Sequence, residues 1–221
     1  MYVGGLLSES VPALQADGGG SEIVAIARRP GVLSKVAVRA RSGSVAATHI
    51  GADDVARVSR QLDGERIDVV SWQPSARQYI SGALGLGEVP PITLLPAIGH
   101  ARVLLGEIDV RGIAGWRGLN VVLASALTDW RIRLEPVAAT PAWHRLELAM
   151  RTRRSVYASV VGCTERGLRL ELVGLYATLS GVQRGIAEGQ ELQVRVTRMD
   201  AEEGRIFVSR RLAPDGQLPL I

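Results

Sequence analysis

The chain has 221 residues, 47% of them hydrophobic, yet no uninterrupted apolar run near the roughly 20 residues of a membrane-crossing helix, which predicts soluble, core-forming domains and no membrane partner. Cys163 is the only cysteine, so an internal disulfide is excluded, and no Cys/His cluster exists to hold zinc. The net charge is +4: residues 1–140 carry 14 basic and 13 acidic side chains and residues 141–221 carry 12 and 9, so the excess is slight and lies towards the C-terminus. Nearly all of it is arginine, Lys35 being the only lysine. Arginine's planar fork suits phosphate pairing and base stacking, and a GC-rich genome produces the same bias without functional demand; both readings stand at this point. Met1 to Ser10 has no basic stretch and carries Glu9, which is unlike a secretory signal, so a cytoplasmic location is expected.

In chain order, an N-terminal arm (residues 1–21) ends at the turn-rich Asp17-Gly18-Gly19-Gly20-Ser21. Block one (22–89) reads as strands Glu22 to Arg28 and Lys35 to Arg39 joined by an Arg29-Pro30-Gly31 turn, a helix from Asp53 to Leu62, a strand from Arg66 to Val70 and a helix from Ala76 to Leu84. Beyond Pro90-Pro91, block two (90–137) repeats the pattern: strands Ile92 to Leu95 and Ala101 to Leu105, a helical turn, the loop Gly115-Trp116-Arg117-Gly118, a helix from Leu119 to Leu127 and a strand from Trp130 to Leu134. Each block is a β-β-α-β unit, so the first two thirds read as α+β layers built on an internal duplication. Residues 138–154, which include Arg151-Thr152-Arg153-Arg154, read as a linker with a solvated basic run. The last block (155–212) is all-β: strands at Ser155 to Val161, Leu168 to Leu172, Gly189 to Val196 and Arg205 to Ser209, with turns at Glu165-Arg166-Gly167, Val173-Gly174 and Glu202-Glu203-Gly204, imply a small closed barrel. A tail (213–221) follows.

The segments Ser34-Lys35-Val36-Ala37-Val38, Gly64-Glu65-Arg66-Ile67-Asp68-Val69-Val70, Gly115-Trp116-Arg117-Gly118-Leu119-Asn120-Val121 and Leu127-Thr128-Asp129-Trp130-Arg131-Ile132 resemble the tandem type II KH region of the bacterial transcription factor family NusA. The resemblance covers residues 2 to 135, since Tyr2-Val3-Gly4-Gly5-Leu6 with Glu9, Val11 and Pro12 is similar to the linker entering the first KH domain of that family. It implies that the Gly-x-x-Gly loop holds single-stranded RNA, its glycines letting a sugar-phosphate strand come close and the following helix start offering N–H groups to phosphate. On that reading Gly115, Trp116, Arg117, Gly118 and Asn120 face the RNA. Where the family's first domain carries the equivalent loop, this chain reads His49-Ile50-Gly51-Ala52-Asp53-Asp54, with the second glycine gone. Two aspartates there repel phosphate, so the first domain is expected to be a spacer in which Asp53 caps the helix and His49 is structural.

The string Glu188-Gly189-Gln190-Glu191-Leu192-Gln193-Val194, with Asp200 and Arg205-Ile206-Phe207-Val208-Ser209-Arg210, is similar to the second half of the RNA-binding OB domain named after the largest small-subunit ribosomal protein. Where that family stacks bases on aromatic side chains, the matching positions here are Arg166, Arg169 and Ala177, with Tyr176 nearby; the two arginines and Tyr176 are either an RNA face or solvated side chains on a barrel kept for protein docking. Trp72, Trp130 and Trp143 are expected in packing. The NusA family places a polymerase-binding domain and an OB-type domain ahead of its KH pair, whereas this chain opens at the linker. The resemblance therefore implies an RNA-binding factor of transcription elongation, termination or antitermination, with RNA polymerase or the ribosome as partner. The alternatives are a ribosome-assembly factor and a structural subunit whose RNA grooves have decayed. No phosphate-loop motif, paired carboxylates or nucleophile triad is present, so neither catalysis nor a cofactor nor a metal is expected.

Overall fold

The computed structural model describes residues 21–40, 50–164, 167–181 and 185–210; the N-terminal arm, His49, Arg166 and the C-terminal tail lie outside them. The described residues form two compact units, those within 1–102 and 113–133 and those within 103–112 and 134–221.

In the first unit, β1 (Ser21–Arg29) and β2 (Leu33–Ala40) pair antiparallel. The turn between them is the proline–glycine turn read from the sequence: Val32 N–H donates to Arg29 O at 3.0 Å, and Gly31 supplies φ of 73°. Helix α1 (Ala52–Gln61) leads to β3 (Arg66–Ser71), which pairs parallel to β2, so the sheet order is β1-β2-β3. Val36, Val38, Ile50, Val58, Leu62 and Ile67 form the core between helix and sheet. Asp53 does not cap α1. The cap position is Gly51, which lies two residues earlier, so Asp53 and Asp54 fall in the first turn, and Asp54 Oδ1 accepts from Arg57 Nη2 at 2.8 Å.

One buried carboxylate ties this sheet together. Glu65, just before β3, accepts from Arg28 Nε and Nη2 at 2.8 Å each, from Gly31 N–H at 2.8 Å and from Ser34 Oγ at 2.6 Å. The Arg28 guanidinium, with Ser34 and the Gly31 amide adding to it, outweighs burial and holds the Glu65 carboxyl down to about 2, while Arg28 is raised by its hydrogen bond to Glu65. Beside it the only lysine, Lys35, is buried and donates to Asp68 Oδ2 at 3.0 Å.

Helix α2 (Ala76–Leu84) follows β3, and a second sheet of order β4-β5-β6 is made by β4 (Ile92–Leu95), β5 (His100–Leu105) and β6 (Arg131–Pro136). Between β5 and β6 run α3 (Glu107–Ala114) and α4 (Leu119–Thr128), so the expected single helical turn is an eight-residue helix. Among the described residues, no helix is long and apolar enough to cross a membrane.

In the second unit, the stretch 138–154 expected as a linker carries helix α5 (Pro141–Arg151). Thr140 Oγ1 accepts from Trp143 N–H at 3.2 Å and Pro141 occupies the first turn, the usual signals of a helix start. Trp143 and Leu146 on α5 are buried in the core of the barrel that follows. Strands β7 (Ser155–Thr164), β8 (Gly167–Leu172), β9 (Leu175–Ser180), β10 (Glu191–Asp200) and β11 (Arg205–Arg210) close in the order β10-β11-β9-β8-β7, with β10 returning antiparallel to β7 and β11 parallel to β9. Leu168, Leu170, Leu172, Leu175, Ala177 and Leu179 point inwards at alternate positions, as half-buried strands require.

The β8–β9 hairpin turns through Val173 (φ 47°) and Gly174 (φ 83°), between the paired Leu172 and Leu175. A two-residue loop with both φ positive is a type I′ turn, which suits Asn or Gly and strains a β-branched residue. Val173 is 55% exposed and gains little from packing. Val173→Asn is therefore expected to stabilise the chain by about 1 kcal/mol, read as a higher urea midpoint at unchanged slope.

Candidate nucleic-acid interface

The loop Gly115 to Gly118 joins α3 to α4, and its backbone explains both glycines. Gly115 has φ 70° and ψ −176°, a region open to glycine alone, and a Cβ there would meet Asn120 Cβ at 3.1 Å. Residues 116–118 form one 3₁₀ turn closed by Gly118 N–H to Gly115 O at 3.1 Å. Arg117 (φ 51°, ψ 30°) and Gly118 (φ 74°, ψ 10°) are both left-handed, which costs about 1 kcal/mol at the non-glycine residue. Nothing lies within 4 Å of where a Gly118 Cβ would project, so the loop faces open space.

Helix α4 starts at Gly118 without a side-chain cap, its first amide, Leu119 N–H, donating to Trp116 O. The start of a helix of this length carries partial positive charge on N–H groups not used inside it. Its other face is anchored. Leu123, Ala124, Leu127 and Thr128 are buried, and Tyr79 on α2 donates from its hydroxyl to Leu127 O at 3.0 Å, burial pushing that phenol up to about 12. Asn120, expected to face a ligand, instead donates its amide to Ile113 O at 2.7 Å and to Leu84 O at 3.1 Å. Its amide donors tie the ends of α2 and α3 to the start of α4, and the residue positions the loop. Trp116 is 67% exposed, with the Arg117 guanidinium 4.8 Å from its ring centroid.

The corresponding helix start in the first sheet is of opposite character, since α1 opens with Asp53 and Asp54. A phosphate there meets carboxylates rather than an open glycine loop.

On the barrel, Arg169 on β8 lies 4.1 Å over the Tyr176 ring on β9, the two expected residues being brought together. Ala177, the third matched position, is buried in the core because alternation along β9 turns it inward. The outer face adds two residues that the sequence reading passed over. Phe207 on β11 pairs with Thr178, which pairs with Arg169, and Arg198 on β10 lies 4.8 Å over the Phe207 ring, with Asp200 Oδ2 3.5 Å from the Arg198 guanidinium. Only the closed register sets these arginine–aromatic pairs in one row. Of the remaining tryptophans, Trp143 is buried and Trp72 carries the Arg39 guanidinium 5.2 Å from its ring. No group of three or more His, Cys, Asp or Glu capable of holding a metal occurs among the described residues.

Residues 2–72 match the family model of the NusA-like first KH domain. The transcription termination/antitermination protein NusA of Mycobacterium tuberculosis is 33% identical over 141 residues, covering 62% of this chain and 40% of that protein. The NusA proteins of Thermus thermophilus (36% over 136 residues, 59% of this chain and 34% of that protein) and Rickettsia conorii (34% over 118 residues, 50% and 24%) are similar. The chain thus spans well under half the length of these relatives. Residues 2–72 are thus similar to a NusA-like first KH domain, and NusA proteins at about one third identity match more than half of this chain's length.

Proposed function

We infer that this chain binds single-stranded RNA at the Gly115–Gly118 loop and acts, as the names of its relatives indicate for them, in transcription termination or antitermination. On this reading the two sheets with their helices are tandem type II KH domains and the barrel is an OB fold. The strand order β7-β8-β9-β11-β10, closed on β7, supports that assignment of the barrel. The first KH domain is a spacer, because its helix start carries Asp53 and Asp54. Arg169 and Tyr176 extend the RNA track on the barrel, and RNA polymerase is the protein partner that the family implies. The observation carrying the reading is the open glycine loop, with its uncapped helix start and adjacent arginine, on the face of α4 not used for packing.

Gly118→Asp tests it. Aspartate is among the residues that tolerate the left-handed region best, so the fold is retained at a cost of about 1 kcal/mol, while its carboxylate takes the position offered to phosphate. The expected result is a loss of RNA affinity of at least about tenfold, equivalent to about 1.4 kcal/mol, measured where the variant is still fully folded, its melting temperature lowered by only a few degrees. Fluorescence anisotropy with a labelled single-stranded RNA reads it, and unchanged binding would place the RNA elsewhere on the chain.

A further inference from the structure

We propose that Trp116 and Arg117 form a preassembled stacking platform for one nucleobase of single-stranded RNA, which gives the glycine loop a base contact in addition to its hold on the backbone; the proposal rests on the loop being the RNA site. An indole left 67% exposed is the largest exposed aromatic surface among the described residues of this unit. An indole exposed on a rigid loop offers a flat π surface to which a planar ligand can stack.

The loop geometry accounts for the exposure. Gly115, in a conformation only glycine adopts, and the closing hydrogen bond from Gly118 N–H to Gly115 O fix the 3₁₀ turn that presents residue 116. The Asn120 amide, bonded to Ile113 O and Leu84 O, ties the loop's two flanking helices together, so the indole stands on a fixed base. Arg117 is held left-handed at φ 51°, and its guanidinium lies over the ring at 4.8 Å. That contact covers one face of the indole and leaves the other face and the ring edge to account for the exposure.

A planar, π-rich ligand fits this arrangement better than a peptide side chain does. A nucleobase stacks on the open face, its phosphate lies within reach of the Arg117 charge, and the helix start behind Gly118 supplies N–H groups for the next phosphate. Because every base has a π-face, the platform discriminates weakly among bases and strongly between a strand with bases and one without.

The test compares a short oligoadenylate with an abasic ribose-phosphate oligomer of the same length and charge, using the full chain. Trp116→Leu is expected to weaken oligoadenylate binding about tenfold, to leave abasic binding unchanged and to leave the melting temperature unchanged, whereas Trp116→Phe keeps most of the affinity. Quenching of tryptophan fluorescence by oligoadenylate and not by the abasic oligomer, lost in Trp116→Leu, gives the same answer independently. Equal losses on both probes, or no loss on either, overturn the platform. Gly118→Asp separates the two readings: if it weakens both probes while Trp116→Leu is silent, the loop stands and the platform falls. If Gly118→Asp is itself silent, the loop is not the RNA site and the platform falls with it.

Discussion

Glu65→Gln is expected to destabilise the first unit by about 3 kcal/mol at neutral pH. The carboxylate receives four hydrogen bonds, two from Arg28 and one each from Ser34 and the Gly31 amide, and is 1% exposed. Glutamine keeps the shape but has one acceptor oxygen, its amide group points hydrogens at donors, and the negative charge that Arg28 meets at residue 65 is removed. The same site sets an acid limit. Its folded-state value is lowered from 4.5 to about 2, so the carboxylate's contribution is fully present above about pH 4.5 and is lost as pH falls towards 2. Urea titrations at neutral pH and near pH 3 check both parts: the gap between wild type and Glu65→Gln is large at the first and shrinks at the second. A gap below about 1 kcal/mol at neutral pH, or one that does not narrow in acid, would show that the network contributes no more than a surface pair.

Gly106→Ala is expected to cost about 3 kcal/mol in the second unit, by a different mechanism. Gly106 follows β5 and lies against the turn between β10 and β11. A Cβ there would lie 2.5 Å from Glu202 O, 2.5 Å from the Glu203 carbonyl carbon and 2.7 Å from Gly204 N. These are backbone atoms, so no side chain can swing aside. Gly204 is constrained reciprocally, its own Cβ position lying 2.7 Å from Gly106 N. The close approach lets α3 begin on this turn: Glu107 N–H donates to Ala201 O at 3.3 Å and Ile108 N–H to Glu202 O at 3.1 Å, so carbonyls of the turn occupy two amides that a helix start otherwise leaves open. One methyl group pushes the turn away and lengthens both bonds. Thermal melting measures the loss, and faster hydrogen exchange at the Glu107 and Ile108 amides locates it; a drop below about 0.5 kcal/mol would show that the turn yields freely.

Much of the local structure was legible before folding. Period-two alternation and the Arg29-Pro30-Gly31 signal mark β1 and β2, and the apolar spacing of Leu119 to Leu127 marks α4. The Gly-x-x-Gly spacing marked the loop because glycine is the residue that its backbone angles demand. Two elements were missed although their signals are present. The Thr140 cap and Pro141 announce α5, but a stretch bounded by prolines reads equally as a linker until the barrel core receives Trp143 and Leu146. The alternation of Leu175 to Ser180 announces β9, but a six-residue strand is weak evidence alone.

Sequence by itself thus determined the chemistry carried along the chain: strands from alternation, turns from glycine and proline, and a phosphate-compatible loop from Gly115 and Gly118. Tertiary structure decided which of those side chains are available. Asn120 looks like a ligand-facing amide until the ends of α2 and α3 arrive to take its hydrogens, and Lys35 and Glu65 look like surface charges until β1, β2 and the approach to β3 close around them. Phe207 and Arg198 meet because β11 pairs with β10, and share a row with Arg169 because β11 also pairs with β9. The physical reason is the same in each case: local sequence fixes a side chain's direction from its own backbone, whereas its partner is set by residues tens of positions away, which only packing brings within hydrogen-bonding reach.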